Sequence, residues 1–137
     1  MEPAAKVTST VLFVRELDRS VRFYTGIFGC RTELDADGGA LLLAPGGFQI
    51  YLVEKGREAP HPLEGIGTQY LMWGVDTLEG LHRFEEALKS AEGYTDTHTS
   101  GGVTFVEGQD PDGIRVVIAH PSPLQLPRSS LDSRIYH

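Results

Sequence analysis

An internal repeat constrains this chain more strongly than any other feature of its sequence. Residues 110–117 read Asp-Pro-Asp-Gly-Ile-Arg-Val-Val, which is a tight turn followed directly by residues that favour a buried strand. Residues 45–52 follow the same order of Pro, Gly and strand. Aligned in this way, the copies match Pro45 with Pro111, Gly47 with Gly113, Gln49 with Arg115, Ile50 with Val116, and Tyr51 with Val117.

The similarity extends upstream of both turns. Residues 14–23 and 75–84 each show a strand ending in Val, an acidic turn, and a helix that carries Arg-Phe at the same place. The sequence therefore predicts one α+β domain over residues 1–137, built from paired βαβββ modules with the helices on the outer face of a cupped sheet. The modules are predicted at 6–54 and 68–120, separated by a linker at 55–67 and followed by a Pro- and Ser-rich tail at 121–137.

In the first module, strands are predicted at 7–14, 31–34, 40–43 and 48–54, with a hairpin turn at 35–39. The helix is predicted to begin near residue 17 and to end at Gly29, with Asp18 as its N-cap. Apolar residues at helical spacing predict the buried side of this helix, namely Leu17, Val21, Tyr24 and Phe28.

In the second module, strands are predicted at 68–75, 94–99, 104–107 and 114–120. A helix is predicted at 77–90 with Thr77 as its N-cap. The residues expected to face inward from this helix are Leu78, Leu81, Phe84 and Leu88.

Charge and cysteine content narrow the possible functions. The formal net charge of −7 over 137 residues disfavours binding to nucleic acid or to an anionic membrane. Cys30 is the only cysteine, so no intrachain disulfide is possible, as is common in a reducing compartment. Residues 1–6 lack the apolar run of a signal peptide, and no stretch is long enough to span a membrane. These features together predict a cytoplasmic protein.

The alternation of side chains along a strand predicts which residues line a cleft between the modules. Tyr51 and Tyr70 would offer flat aromatic surface, while Arg115 could bind a ligand carboxylate or phosphate, or could instead pair with Glu107 or another acidic residue. Trp73 is predicted to lie on the helix side of its strand. Alternatively, the cleft residues fill the hollow and leave no cavity. The predicted ligand-binding set is Ser9, Val11, Phe13, Gln49, Tyr51, Tyr70, Met72, Arg115 and Val117.

The sequence resembles the vicinal oxygen chelate superfamily, which contains glyoxalase I, extradiol dioxygenases, and fosfomycin- and bleomycin-resistance proteins. The resemblance lies in residues 14–24, which read Val-Arg-Glu-Leu-Asp-Arg-Ser-Val-Arg-Phe-Tyr, in Phe28-Gly29, and in the Asp-Pro-Asp-Gly turn at 110–113. It covers about residues 6–120 and implies paired βαβββ modules, usually assembled as a homodimer. Enzymes of this family commonly hold a divalent metal with one ligand from the first strand and one from the last strand of each module.

The repeat and the resemblance together imply metal positions at Ser9, Tyr51, Tyr70 and Val117. Valine cannot bind a metal, and Ser and neutral Tyr are poor ligands for the ions of this family. The histidines form neither an H-x-H nor an H-x-x-x-H pair. We therefore expect no metal and no other cofactor.

Two hypotheses on function remain open. The first is a metal-free protein of the bleomycin-resistance type, which binds a small hydrophobic, aromatic or antibiotic-like molecule. The second is a metal-independent enzyme of isomerase, cyclase or lyase type, with Tyr51, Tyr70, Arg115 and a loop histidine such as His61 as candidates. A metal-dependent lyase or dioxygenase is disfavoured.

Overall fold

Two four-stranded mixed sheets, each with one helix, make up the described part of the chain, which comprises residues 7, 9–56, 70–122 and 125 of a computed structural model. The chain divides into two units, Met1–Pro60 and His61–His137. The predicted α+β class with βαβββ modules is thus confirmed. Most of the predicted linker and tail lies outside the described residues. Within them, no helix is long and apolar enough to cross a membrane.

In the first unit, the first strand is followed by a helix, and this strand pairs in parallel with the last strand of the unit. Its elements are β1 (Ser9–Val14), α1 (Leu17–Phe28), β2 (Arg31–Ala36), β3 (Gly39–Leu43) and β4 (Gln49–Glu54). The sheet order is β1-β4-β3-β2, with β1 parallel to β4 and the other neighbours antiparallel.

The second unit repeats this arrangement strand for strand. Its elements are β5 (Tyr70–Gly74), α2 (Leu78–Ser90), β6 (Tyr94–Ser100), β7 (Val103–Gln109) and β8 (Arg115–His120). The order is β5-β8-β7-β6, and β5 is parallel to β8.

The two repeated turns have the same backbone hydrogen bonds, as their sequences predict. Ala44 N–H donates to the Phe48 carbonyl at 2.8 Å, and Asp110 N–H donates to the Ile114 carbonyl at the same distance. In each turn the glycine N–H returns to the first carbonyl, and both glycines have positive φ, 102° at Gly47 and 82° at Gly113. Gly is the residue that adopts this conformation without steric cost.

The prediction that Asp18 caps α1 is wrong. The helix begins at Leu17, as predicted, but its N-cap is Glu16, two residues before Asp18, and Asp18 lies in its first turn. The first helical N–H, that of Leu17, donates instead to Glu54 Oε1 at the end of β4, at 3.0 Å. A cap supplied from a distant strand satisfies the same donor as a local N-cap, but local spacing does not reveal it.

The cap of α2 is as predicted, since the Thr77 hydroxyl accepts a hydrogen bond from Gly80 N–H at 3.0 Å. Leu81 and Leu88 are buried and Phe84 is half-buried. Leu78, however, is 50% exposed, so the prediction that it faces inward is wrong. It is the first residue of the helix, where the chain is still entering from the cap.

In each unit the helix packs buried side chains against one face of its sheet. In α1, Leu17, Tyr24 and Phe28 are buried as predicted, whereas Val21 is only half-buried. The sheet face toward α1 carries Leu42, Ile50 and Leu52, and the face toward α2 carries Val106, Val116 and Ile118, all at most 1% exposed.

Gly93, which follows α2, packs closely against Gly108 in β7. A Cβ atom added at Gly108 would lie 2.6 Å from the Gly93 carbonyl oxygen and 3.0 Å from Leu88 Cδ1. Because real Cβ contacts are essentially never this short, backbone would have to move. The bulge between Tyr94 and Asp96 lies beside this contact.

We predict that Gly108→Ala destabilises the protein by about 1–3 kcal/mol, since the added methyl overpacks a closed contact. Gly26→Ala is the control, because a Cβ at Gly26 in α1 meets nothing within 4 Å. That substitution should be neutral or stabilising by up to about 1 kcal/mol, since Ala is the better helix former. Urea unfolding of both variants is the measurement, and equal midpoints would contradict the prediction.

Candidate functional site

The strand registers assign the predicted ligand-binding residues to one face of each sheet. In the first sheet Ser9 pairs with Gln49 and Val11 with Tyr51. In the second sheet Tyr70 pairs with Arg115 and Met72 with Val117. We call the face opposite each helix the helix-free face. In the first sheet it carries Ser9, Val11, Phe13, Gln49 and Tyr51, and in the second Tyr70, Met72, Arg115, Val117, Phe105, Glu107, His98 and Asp96.

The helix-free face of the first sheet presents large apolar side chains to solvent. Val11 is 57% and Phe13 61% exposed, and Tyr51 is also exposed. Lys55 Nζ lies 4.4 Å from the centre of the Phe13 ring, which is a cation–π distance. The exposed side chains of this surface can make van der Waals contacts and aromatic stacking interactions. Ser9 and Gln49 are its predicted polar groups.

The helix-free face of the second sheet is more closely packed. Val103, Phe105, Val117 and Ala119 form a buried cluster, and Tyr70 packs against it. Val117 is on the predicted face but is only 1% exposed, whereas Met72 is exposed. Trp73 alternates to the opposite face beside Ile118, as predicted, and is half-buried.

Arg115 forms an ion pair within the protein, one of the two alternatives left open by the sequence. Its guanidinium donates to Glu107 Oε1 at 2.5 Å, and its Cζ lies 4.9 Å from the centre of the Tyr70 ring. Glu107 is buried, so this charge-assisted bond compensates a carboxylate removed from water. Arg115 remains partly exposed, and can meet a ligand from its outer side.

A cluster that the sequence reasoning missed lies beside this ion pair. Nδ1 of His98 is 3.3 Å from Glu107 Oε2 and 3.6 Å from Asp96 Oδ2. The His98 ring stacks on Phe105, with 5.2 Å between ring centres. His98 lies within β6 rather than at a strand end, and the cluster forms across β6 and β7. The sequence pattern that could have predicted this cluster is the alternation Asp96-x-His98, which places both side chains on the same face of a strand.

The four positions at which the family resemblance implies metal ligands do not suit a metal. Ser9 and Tyr51 lie on the helix-free face of the first sheet, and Tyr70 and Val117 on that of the second. Val117 carries no donor atom and packs in the apolar cluster. Tyr70 packs against the same cluster and lies beneath the Arg115 guanidinium, and a tyrosine hydroxyl is a poor ligand for the ions of this family.

The chain matches one protein-family model over most of its length. The model of the Glyoxalase/Bleomycin resistance protein/Dioxygenase superfamily matches residues 6–118. The chain belongs to this superfamily. No curated protein of similar sequence was found.

Solved structures share the superfamily fold with this chain. A glyoxylase/bleomycin resistance protein/dioxygenase domain from Frankia sp. EAN1pec has a TM-score of 0.74 at 27% identity, covering 85% of this chain and 98% of that one. A lactoylglutathione lyase from Agrobacterium tumefaciens has a TM-score of 0.68 at 20% sequence identity, and the match covers 86% of this chain and 95% of that one. A fosfomycin resistance protein from Mesorhizobium loti has a TM-score of 0.68 at 15% sequence identity, and the match covers 91% of this chain and 98% of that one.

Cys30, the only cysteine of the sequence, packs in the interior. It follows Gly29 at the end of α1 and is buried. Burial raises the pKa of the Cys30 thiol to about 11. The thiolate is the nucleophilic form, so this environment lowers reactivity at neutral pH.

We predict that Cys30 of the folded protein reacts very slowly with iodoacetamide, since a pKa of about 11 leaves about one thiol in a thousand ionised at pH 8. Alkylation in denaturant, followed by mass spectrometry, should be complete under the same conditions. Similar rates for the folded and unfolded protein would show that the thiol is accessible and reactive.

Proposed function

We propose that this superfamily member binds a small hydrophobic or aromatic organic molecule on its helix-free faces, without a metal ion at the four family positions. The observation that carries the proposal is the exposure of Val11, Phe13, Tyr51 and Met72 on these faces. Exposed apolar side chains next to one another on a sheet face, such as Val11 and Phe13, are typical of binding sites, because covering them releases water at a gain of about 25 cal/mol per Å².

The chemistry of the ligand follows from the two kinds of group on these faces. Phe13 and Tyr51 favour a flat ring system, for which stacking adds about 0.5–1.5 kcal/mol per aromatic pair beyond the area buried. Gln49 offers a neutral hydrogen-bonding group, and the exposed side of Arg115 favours a carboxylate or phosphate on the ligand. An aromatic, antibiotic-like molecule with one acidic group combines both features.

A second candidate is a metal-independent enzyme of isomerase, cyclase or lyase type. The observation that favours it is the His98 imidazole, whose Nδ1 faces the carboxylates of Asp96 and Glu107. An imidazole beside carboxylates is a common arrangement for proton transfer. Conversion of a bound ligand that stops in a His98→Gln variant would favour this candidate over simple binding. The loop histidine His61 lies outside the described residues.

We also propose that the protein is a homodimer, as the superfamily resemblance implies. Sedimentation equilibrium at micromolar concentration should give twice the chain mass of 15.0 kDa. A mass of one chain throughout the concentration range would contradict the dimer and leave the ligand proposal standing.

The binding proposal predicts distinct effects for aromatic residues on opposite faces. After a thermal-shift screen has identified an aromatic ligand, Tyr51→Ala should weaken its binding by roughly 1–3 kcal/mol, because a stacking partner and buried area are lost. Isothermal titration calorimetry measures the affinity. Tyr70→Ala should act in the same direction.

Trp73→Ala is the matched control, because Trp73 lies on the helix side of β5. It should lower the melting temperature, since it removes a half-buried ring from the core, and leave affinity unchanged in the folded protein. Normal binding by both Tyr variants, with selective loss of ligand in Trp73→Ala, would contradict the assignment of the binding face.

A further inference from the structure

Three metal-ligating side chains meet on the helix-free face of the second sheet, at a place distinct from the four family positions. Asp96 and His98 are on β6, and Glu107 is on β7. Their donor atoms all lie within 4.8 Å of one another. The pairing register sets Asp96 directly opposite Glu107, which brings two carboxylates together across the strand pair.

Two carboxylates directly opposed on neighbouring strands repel each other, so the arrangement needs a positive charge. Arg115 supplies one, but it donates to Glu107 Oε1 and so engages the oxygen that does not face His98. The other oxygen of Glu107, Oε2, faces His98, which also lies beside the Asp96 carboxylate. A cation held between these three side chains would reduce the repulsion between the two carboxylates.

Two of the three distances between donor atoms match those around a shared ion, and all three are within 4.8 Å. Nδ1 of His98 lies 3.3 Å from Glu107 Oε2 and 3.6 Å from Asp96 Oδ2. Two donors of a tetrahedral zinc ion, each about 2.0–2.2 Å from it, are roughly 3.3–3.6 Å apart. Small movements of side chains would therefore bring all three donors to the ion, without any change in the strands.

Neighbouring residues hold these donors in position. The His98 ring stacks against Phe105. Arg115 fixes the orientation of the Glu107 carboxylate by donating to Oε1, the oxygen that does not face His98. Partners of this kind, which orient ligands without touching the ion, are a regular feature of metal sites. The side chains of His98 and Glu107 are 10% and 11% exposed and that of Asp96 is 37% exposed, which gives an ion a route from solvent.

From these observations we propose that Asp96, His98 and Glu107 form a binding site for one divalent transition-metal ion of the zinc type. One imidazole nitrogen and two carboxylate oxygens are donors that such ions accept, and a water molecule would complete a tetrahedral site. The proposal does not depend on ligand binding by the helix-free faces, but it excludes the second candidate function, which uses the same His98 without a metal. It departs from the sequence-based expectation of no metal. That expectation rested on spacing along the chain, whereas this cluster forms across two strands.

The experiment is a titration of the untagged full-length chain with Zn²⁺ alone, after treatment with a chelator, followed by calorimetry. We expect one ion per chain. Asp96→Asn and His98→Gln should each weaken binding at least about tenfold, the scale of losses seen when metal sites are perturbed. Circular dichroism confirms that each variant is folded. Asp96→Asn decides the result if His98→Gln does not fold, because Asp96 is half-exposed and the change is isosteric.

His82→Gln is the matched control. His82 lies on α2 with its Nδ1 3.9 Å from Glu85 Oε1, so it also pairs a histidine with a carboxylate, but on the exposed side of a helix. This variant should bind Zn²⁺ as tightly as the unchanged protein. Absence of stoichiometric binding, equal affinity in folded Asp96→Asn, or an equal loss in His82→Gln would each overturn the site.

Discussion

The parallel pairing of the first and last strands in each unit determines the rest of this structure. β1 pairs with β4, and β5 pairs with β8, with Ser9 opposite Gln49 and Tyr70 opposite Arg115. A parallel pair requires a long crossover, which here consists of the helix and two further strands. Because side chains alternate, a shift of one residue would exchange the buried face for the helix-free face.

The same registers give the two helix-free faces different chemistry. The first face is apolar and exposed around Phe13, whereas the second combines a buried apolar cluster with the linked charges of Arg115, Glu107 and His98. Glu107 is central to the second face, because its Oε1 pairs with Arg115 and its Oε2 lies beside His98. The apolar surface is the basis of the proposed ligand binding, and the charged group is the basis of the proposed proton transfer or cation binding.

The repeat made much of the fold predictable from sequence. It matched Gln49 with Arg115, and the structure gives these residues equivalent partners on β1 and β5. Thr77 was a predictable cap because its hydrogen bond to Gly80 N–H is local. Asp18 was not, because Glu54 reaches the same helix end from a strand 37 residues away. Asp96, His98 and Glu107 were missed for a similar reason, since strand pairing and not spacing brings them together.

The proposed binding of a small molecule on the helix-free faces is tested most directly by methyl-resolved NMR, which compares the free protein with protein saturated by an aromatic ligand from the thermal-shift screen. We expect the methyl resonances of Val11 and Met72 to shift strongly, while those of Leu52 and Ile118 beneath the helices change little. Strong shifts at Leu52 and Ile118 with none at Val11 and Met72 would contradict it.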